Sequence, residues 1–531
     1  MTTPVITPSR SAARPGRSGF AHLLRAEWTK FRTVRGWVIA VLVTVLLTLL
    51  LGLFIGSHSH VAPCTTGPNG PACHYVIPVG PGGEMVTDTS YFVHRPLVGD
   101  GTITVRVTSL SEVAESGQTV NGRPVSTKPA VVPWSKAGLI ITAGSGQGAA
   151  YAAVMVTGSH GTRMQWNYTG DAPGLAGGAS AASPRWLHLT RAGDVITGYD
   201  SADGTSWTKI GTVTLPGLAA TVQAGMFATS PSQSTATNSG VTSASSGGGG
   251  ATDATATFDR VGLRGGWPGM SWTGTSVNAG PDSPYTIGHE AEYRQDDGAF
   301  TVTGSGDIAP DVTDGVPIDT LLAGLFIALV AVLVVGAQFM TAEYRRGLIR
   351  LTLAASPRRG RALAAKAVVL GAVTFTAGLV GSAGTVLIGI PLLRASGNPV
   401  YPVSTHSEAR VIVGTAALVA VFAVFALGVG AILRHGTGTV TAAITAVILP
   451  YLLTAGISVL PAGAADWVLR VSPAAGFAIK QVIPVYPQVA ASYTAFNDYF
   501  PLAAWVGFAV TCTWAALALA LAAYLLKRRD A

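Results

Sequence analysis

The sequence predicts a polytopic α-helical membrane protein with six transmembrane helices and a large extracellular all-β sandwich inserted between helices 1 and 2. The 531-residue chain is 48% hydrophobic and 11% charged, and its mean hydropathy is +0.43. Six stretches without Asp, Glu, Lys, Arg or His approach or exceed the roughly 20 apolar residues that a helix needs to cross a bilayer. A long segment after the first stretch instead alternates short β-type runs with Gly, Pro, Asp and Ser turns.

The six apolar stretches define the predicted spans: Trp37–Ile55, Leu321–Met340, Ala367–Leu393, Val411–Leu433, Thr437–Leu460 and Leu502–Leu526. The first run is too long for the apolar segment of a signal peptide, so we expect an uncleaved anchor. The resulting division is a disordered N-terminus 1–17, a cytoplasmic interfacial helix 18–35, transmembrane helix 1 over 36–56, an extracellular sandwich domain 57–319 with a flexible insert 232–254, and transmembrane helices 2–6 over 320–531 with a cytoplasmic coupling loop 341–366.

Charge orients these spans. The flanks 1–36, 341–366, 434–436 and 527–531 together hold 18 Lys and Arg against three acidic residues. Because cytoplasmic flanks are enriched in Lys and Arg, this bias places both termini in the cytoplasm and the sandwich outside a plasma membrane. The net charge of +8 therefore reflects orientation, and a nucleic-acid partner is not predicted.

The segment before the first span has an apolar stripe at helical spacing. Phe20, Leu24, Trp28 and Phe31 recur every three to four residues, with basic residues on the other faces. This pattern predicts an amphipathic helix lying on the inner leaflet of the bilayer. A helix packed against a protein surface would use the same stripe and remains the alternative.

Two cysteines lie close together in the exported segment. Eight residues rich in Gly and Pro separate Cys64 from Cys73, and a disulfide that closes this turn is expected in an oxidising compartment. His58, His60 and His74 lie nearby, so a metal site is the alternative, although no carboxylate completes a ligand set.

The exported segment is predicted to be β throughout and to form a two-sheet sandwich. Its turn signals indicate that Trp186 to Leu215 forms three consecutive antiparallel strands. The predicted strands are Thr102–Val107, Ala137–Thr142, Tyr151–Val156, Arg163–Tyr168, Trp186–Thr190, Val195–Tyr199, Trp207–Leu215, Val222–Ala228 and Thr255–Leu263.

Several runs in this segment resemble the concanavalin/laminin-G-like domains of bacterial carbohydrate-active enzymes. They include Gly-Asp-Gly-Thr-Ile-Thr-Val at 99–105, Trp-Leu-His-Leu-Thr-Arg at 186–191 and Ser-Ala-Asp-Gly-Thr-Ser-Trp at 201–207. A strand like that at 300–307 usually opens such a domain but here comes last, which suggests a permuted sandwich. The resemblance implies a glycan or other cell-surface ligand.

No catalytic role is predicted for this domain, because its carboxylates are scattered and show no visible acid pair of the kind that cleaves sugars. Trp134, Trp166, Trp186 and Trp207 could stack on sugar rings, but packing in the sandwich core or at surface turns is the favoured interpretation.

The inner loop after the second span carries the motif Glu-Tyr-Arg-Arg-Gly at 343–347. Together with Ala-Glu-Trp-Thr-Lys-Phe-Arg at 26–32 and Ser-Pro-Ala-Ala-Gly-Phe at 472–477, it resembles permeases of the type-two ABC transporter family, with an exporter-like arrangement. In that family the loop lies against a separate ATP-binding subunit. The resemblance implies contact residues at Glu343, Tyr344, Arg345, Arg346 and Arg350, and it implies two permease copies paired with two ATP-binding subunits.

The chain contains no Gly-Lys dipeptide, so the phosphate-binding loop of an ATPase is absent from it. We therefore expect a transporter subunit without enzymatic activity or a cofactor of its own, embedded in the lipid bilayer and driven by ATP bound to a partner. The predicted spans also contain no ionisable residue, which disfavours an ion-coupled transporter. The alternative function is a membrane-anchored extracellular glycan-binding or sensor protein, although four spans after the sandwich exceed what anchoring requires.

Overall fold

The computed structural model describes residues 19–59, 65–67, 70–72, 77–114, 119–120, 123–124, 131–144, 146–231, 233–234, 249–250, 252–269, 271–277, 292–348, 359–456, 460, 462–489, 493 and 495–528. These residues form a β sandwich and a helical body. The sandwich lies in the chain between the first two helices and the remaining helices, and all of these helices pack together.

The sandwich consists of two seven-stranded sheets, in which neighbouring strands run antiparallel. The first sheet has the order Gly170–Pro173, Thr162–Trp166, Tyr151–Thr157, Lys136–Thr142, Thr221–Thr229, Ser90–Val98 and Thr273–Val277. The second has the order Thr208–Thr214, Val195–Ser201, Arg185–Ala192, Gly101–Ala114, Thr252–Gly265, Ala299–Ser305 and Glu292–Asp296. Short pairs join Val86–Asp88 to Ile308–Pro310, Thr65–Gly67 to Gly70–Ala72, Thr119–Val120 to Arg123–Pro124, and Gln233–Ser234 to Gly249–Gly250.

The core of the sandwich lies between the sheets because alternate side chains along each strand point inward. Val105, Leu187 and Val302 from the second sheet pack in one cluster with Leu139 and Val154 from the first, and all five are fully buried. Predicted strands therefore supply much of the core, and Ser90–Val98, which was not among the nine predicted strands, adds Val93 and Leu97 to it.

The helical body contains six helices long and apolar enough to span a membrane within the described part of the chain. The six are α2 to α6 and α8, and α1 and α7 are two further helices of this body. The bounds are α1 Phe20–Thr33, α2 Arg35–His58, α3 Leu325–Arg345, α4 Arg359–Ala395, α5 Thr405–Leu433, α6 Gly436–Tyr451, α7 Ala462–Val471 and α8 Ala504–Arg528. One 3₁₀ segment, Ile318–Gly324, leads into α3, and another, Pro473–Lys480, follows α7. The fold class is confirmed, with six spans and a β sandwich between the first and second.

The described helices add detail to the predicted spans. The fifth span was predicted as Thr437–Leu460; α6 contains Pro450 and passes into a π turn, Leu452–Gly456, and residues 457–459 lie outside the described residues. The predicted loop 341–366 is helical at both ends, because α3 continues to Arg345 and α4 begins at Arg359. Charged residues that were expected in a loop therefore lie on helices.

The sandwich is attached directly to the membrane helices. The Tyr401 hydroxyl, between α4 and α5, donates to Asp311 Oδ1 at 3.1 Å and accepts from the Gly315 backbone N–H at 3.0 Å. At a second point, Gln488 Nε2 donates to the Thr169 carbonyl at 3.1 Å. These contacts mark one end of the helical body as the sandwich end, and α1 lies at the opposite end.

Candidate functional site: a buried ion-pair cluster

Four charged side chains from three helices meet at the end of the helical body opposite the sandwich. Lys366 Nζ on α4 lies 2.6 Å from Glu343 Oε1 on α3 and 2.7 Å from Glu27 Oε2 on α1. Lys30 Nζ on α1 lies 2.8 Å from Glu27 Oε1 and 3.0 Å from the same Glu343 oxygen. Positive and negative groups alternate around a closed ring, which we call the inner cluster.

Burial makes the inner cluster energetically important. Glu27, Glu343 and Lys366 are 3%, 5% and 2% exposed, whereas the Lys30 side chain keeps 39% of its surface. Burial lowers the pKa of Lys30, but hydrogen bonds and charge from the two glutamates outweigh it, so that pKa is raised. Because removing one partner from a buried ion pair is strongly destabilising, the arrangement depends on α1 staying packed against α3 and α4.

The other predicted contact residues surround this cluster. Tyr344 is partly buried, with the Arg434 guanidinium 5.2 Å from its ring centroid. Arg345 and Arg346 are exposed at the end of α3. Arg350 lies outside the described residues. The motif thus has a buried acidic member, Glu343, followed by exposed basic members.

Helix α1, Phe20–Thr33, lies within the segment 18–35 that was predicted to be an interfacial helix, and the residues of its apolar stripe differ in burial. Phe31 is 3% exposed and packs against Trp37 and Phe339 with ring centroids 6.0 and 5.7 Å away. Leu24 and Phe20 are partly buried, whereas Trp28 is 47% exposed. One face of α1 therefore packs on the helical body, as in the alternative interpretation, and leaves Trp28 available to a lipid or a partner.

Three members of the inner cluster, Glu27, Lys30 and Lys366, were not predicted to form a site. Glu27 and Lys30 were noted only within the motif at 26–32, and Lys366 only as a charged flank of an apolar run. The spacing of Glu27 and Lys30, one helical turn apart, is the signal that could have drawn attention to them.

A second buried charged group lies at the sandwich end and was also missed. Lys480, at the end of its 3₁₀ segment, is 1% exposed and its Nζ lies 3.2 Å from Asp498 Oδ1. Asp319, one residue into the 3₁₀ segment before α3, is also 1% exposed. These residues lie outside the predicted spans, so the search of those spans for ionisable residues did not find them.

The remaining site predictions have mixed outcomes. Cys64 and Cys73 lie outside the described residues, so their disulfide stays a prediction. Trp134 is buried and Trp207 is 37% exposed. Trp166 packs partly buried against the sandwich core, and Trp186 is partly buried.

In the part of the chain that the structure describes, no group of three or more His, Cys, Asp or Glu side chains is arranged to hold a metal ion. The inner cluster consists of ion pairs between side chains of α1, α3 and α4.

Comparison with solved structures gives weak likenesses. One is a functionally unknown protein from Saccharomyces cerevisiae, 15% identical, covering 36% of this chain and 83% of that chain with a TM-score of 0.22. Another is scytalido-glutamic peptidase with a transition-state analog inhibitor, 7% identical, covering 42% of this chain and 100% of that chain with a TM-score of 0.25. These scores are too low to support an argument about function. No curated protein matches the chain.

Comparison with family models gives a definite match over residues 212–531, which is more than half of the chain. The matched region contains α3 to α8 and the later strands of the sandwich. It includes Glu343 and Lys366, whereas Glu27 and Lys30 precede it. The chain therefore belongs to the ABC-2 family of transporter proteins and is a multi-pass membrane permease.

Proposed function

We propose that this chain is the permease subunit of an ABC transporter, moving its substrate across the plasma membrane with ATP hydrolysed by a separate subunit. Membership of the ABC-2 family supports this proposal and implies an ATP-binding partner. The inner cluster is the structural observation that supports it most directly, because it links an exposed helix to two membrane spans.

The docking surface for the ATP-binding subunit consists of the exposed face of α1 and the end of α3. Arg25, Trp28 and Arg32 are exposed on α1, and Arg345 and Arg346 are exposed at the end of α3. A surface of this kind, basic and with an exposed aromatic ring, matches the composition that protein interfaces favour.

In this proposal Glu343 does not contact the ATP-binding subunit. It transmits the movement of that subunit to the membrane helices. Since its carboxylate is bonded to Lys366 and Lys30, displacement of α1 by the partner pulls on α3 and α4 together. Packed helices linked in this way move as rigid bodies, which is how small displacements at one site become larger changes elsewhere.

The proposed assembly has two copies of this chain and two ATP-binding subunits. ATP binds to the ATP-binding subunits and not to this chain. The sandwich end faces outward and both termini lie in the cytoplasm, in accordance with the charge bias of the flanks. A glycan or another cell-surface molecule is the ligand proposed for the sandwich.

The test is the double substitution Arg345→Ala and Arg346→Ala in the chain copurified with its ATP-binding subunit. Because both side chains are exposed, we expect normal membrane insertion but weaker retention of the partner and reduced stimulation of its ATPase activity. Lys527→Ala, an exposed basic residue at the end of α8, is the matched control and should retain both.

Two results would count against the proposal. Unchanged partner retention and ATPase stimulation in the double variant would remove the docking role of these arginines. Failure of the parent chain to copurify any ATP-binding subunit would favour a membrane-anchored glycan-binding or sensor protein.

A further inference from the structure

A cleft lies on the outer face of the first sheet, on the side away from the core between the two sheets. Phe92, Ile140 and Tyr151 point to this face, because their neighbours along the strands belong to that core. The cleft holds about 380 Å³ of empty space, part of it open to solvent. Its walls are mostly aromatic and aliphatic, and the residues that define its chemistry are Asp88, Phe92, Ile140, Tyr151, Tyr168 and Ile308.

Tyr151 brings an unused hydrogen-bond donor to this cleft. The residue is 2% exposed, and its hydroxyl has no hydrogen-bond partner among the described residues. Burial raises the pKa of this hydroxyl and the Tyr168 backbone N–H opposes the rise, but an N–H only donates, so the hydroxyl proton still lacks an acceptor. Because buried polar groups in folded proteins are almost always bonded, this proton indicates a missing acceptor in the cleft.

Asp88 supplies a hydrogen-bond acceptor to the same cleft. Its Oδ2 accepts from the Gly148 backbone N–H and from the Tyr168 hydroxyl, each at 2.9 Å. Within the described part of the chain these bonds leave Oδ1 able to accept from a ligand. The Tyr151 and Tyr168 rings pack edge to face with their centroids 4.9 Å apart, so Tyr168 holds the donor and the acceptor on neighbouring walls.

These two groups select the chemistry of the ligand. It must accept a hydrogen bond from Tyr151 and donate one to Asp88. An anionic ligand would be repelled by the Asp88 charge, and an ammonium cannot accept the bond that Tyr151 offers. Hydroxyl groups both donate and accept, and a hydroxylated ring also offers a C–H face that can pack on aromatic walls.

We propose that this cleft binds one neutral sugar unit, with ring hydroxyls that accept from Tyr151 and donate to Asp88 Oδ1. This inference rests on the glycan or cell-surface ligand proposed above for the sandwich, and it does not depend on the ATP-binding subunit.

The position of the cleft limits the size of its ligand. Asp88 lies in the short strand pair that continues into Asp311, which accepts from the Tyr401 hydroxyl of the helical body. Thr169, the residue after the second tyrosine of the cleft, accepts from Gln488 of the helical body at 3.1 Å. Because the helical body is attached close to the cleft at two points, a single sugar or the end of a chain fits better than the middle of a polymer.

The test is a saturation-transfer NMR titration of the full chain in lipid nanodiscs. The probes are four neutral sugars, namely glucose, galactose, mannose and N-acetylglucosamine, with anionic glucuronate and the peptide-like amide N-acetylglycinamide for comparison. At least one neutral sugar should bind saturably and more tightly than both comparison compounds. Absence of binding by all four sugars would overturn the proposal, and so would equal or tighter binding of glucuronate or the amide.

Substitutions then locate the binding site. Tyr151→Phe removes only the hydroxyl, so the affinity for the sugar should fall about five- to tenfold, as for the loss of one hydrogen bond. Asp88→Asn should weaken binding further, because hydrogen bonds to a charged acceptor are stronger. Tyr199→Phe, on the strand Val195–Ser201 of the second sheet, is the matched control and should keep the parent affinity.

Stability separates this role from a structural one. Since the Tyr151 hydroxyl has no partner to lose, the unfolding midpoint of Tyr151→Phe should equal or exceed that of the parent. A lower midpoint would assign the hydroxyl to folding and overturn the proposal. Undiminished sugar affinity in Tyr151→Phe would do the same, even if Asp88→Asn failed to fold. Neither result would affect the proposed permease function, which is tested by copurification of the ATP-binding subunit.

Discussion

Replacing Lys366 with methionine is the most informative perturbation of the inner cluster. The substitution keeps the length of the side chain but removes an ammonium that is bonded to two buried glutamates at 2.6 and 2.7 Å. Lys30 alone would then face both carboxylates, although its side chain is 39% exposed. Breaking a buried pair by removing one partner typically costs about 3–5 kcal/mol of folding free energy, so we expect a loss of that size.

The matched variant is Lys30→Met, which removes the exposed cation from the same ring. Both glutamates keep Lys366 as a partner in this variant, so we expect a loss of about 1 kcal/mol, as for other partly exposed pairs. Each variant removes one positive charge, so a difference between their losses of folding free energy shows how much the burial of Lys366 contributes.

The assay is a reversible unfolding titration of the full chain in mixed micelles, with limited proteolysis of α1 as a local readout. A second step adds Glu343→Gln to Lys366→Met. Since the added change removes one of the uncompensated carboxylates, part of the lost stability should return, and the two substitutions should be strongly non-additive.

A Lys366→Met protein no less stable than Lys30→Met would show that burial does not strengthen these ion pairs. Simply additive effects of Lys366→Met and Glu343→Gln would show that the two side chains do not interact.

Three further predictions concern the part of the chain between the first and second spans and its orientation. Cysteine placed at Ser206 in a background without native cysteines should react with an impermeant thiol reagent in intact cells, and cysteine at Ser356 should react only after lysis; labelling of Ser356 in intact cells would reverse the topology. Cys64 and Cys73 should be joined by a disulfide whose loss costs about 2–3 kcal/mol, and free thiols at both positions in the mass spectrum of the non-reduced protein would exclude it. Burial and the charge of Arg264 lower the pKa of His188, so its contribution to stability is present above the ordinary histidine pKa and is lost as pH falls below it. Thermal unfolding should therefore show a stability decrease on acidification from neutral pH that is smaller in His188→Gln, and equal decreases in the two proteins would contradict this assignment.

Most of the fold could be predicted from the sequence because the patterns that indicate spans and strands are local. Runs of about 20 apolar residues identify spans without knowledge of their neighbours. Alternation of β-branched and aromatic residues likewise located nine strands of the sandwich. The edge strand Glu292–Asp296 was missed because its side chains are mostly exposed and polar, so it lacks that alternation.

The functional clusters could not be predicted because their members are distant in sequence. Lys366 is separated by 339 positions from Glu27, and only the packing of α1 against α4 brings them together. In the charge count of the flanks, Lys366 was one of 18 basic residues. Its burial depends on the neighbouring helices and cannot be seen in that count. Glu343 was found through its motif, but its burial could not be read from that motif.

We propose that α1 and the end of α3 bind the ATP-binding subunit and that the inner cluster transmits its movement to the spans. Cross-linking mass spectrometry of the purified complex is the decisive experiment. We expect cross-links from the ATP-binding subunit to concentrate on the exposed face of α1 and on residues 345–358. A complex whose cross-links avoid both segments, while reaching other parts of the same end of the helical body, would contradict it.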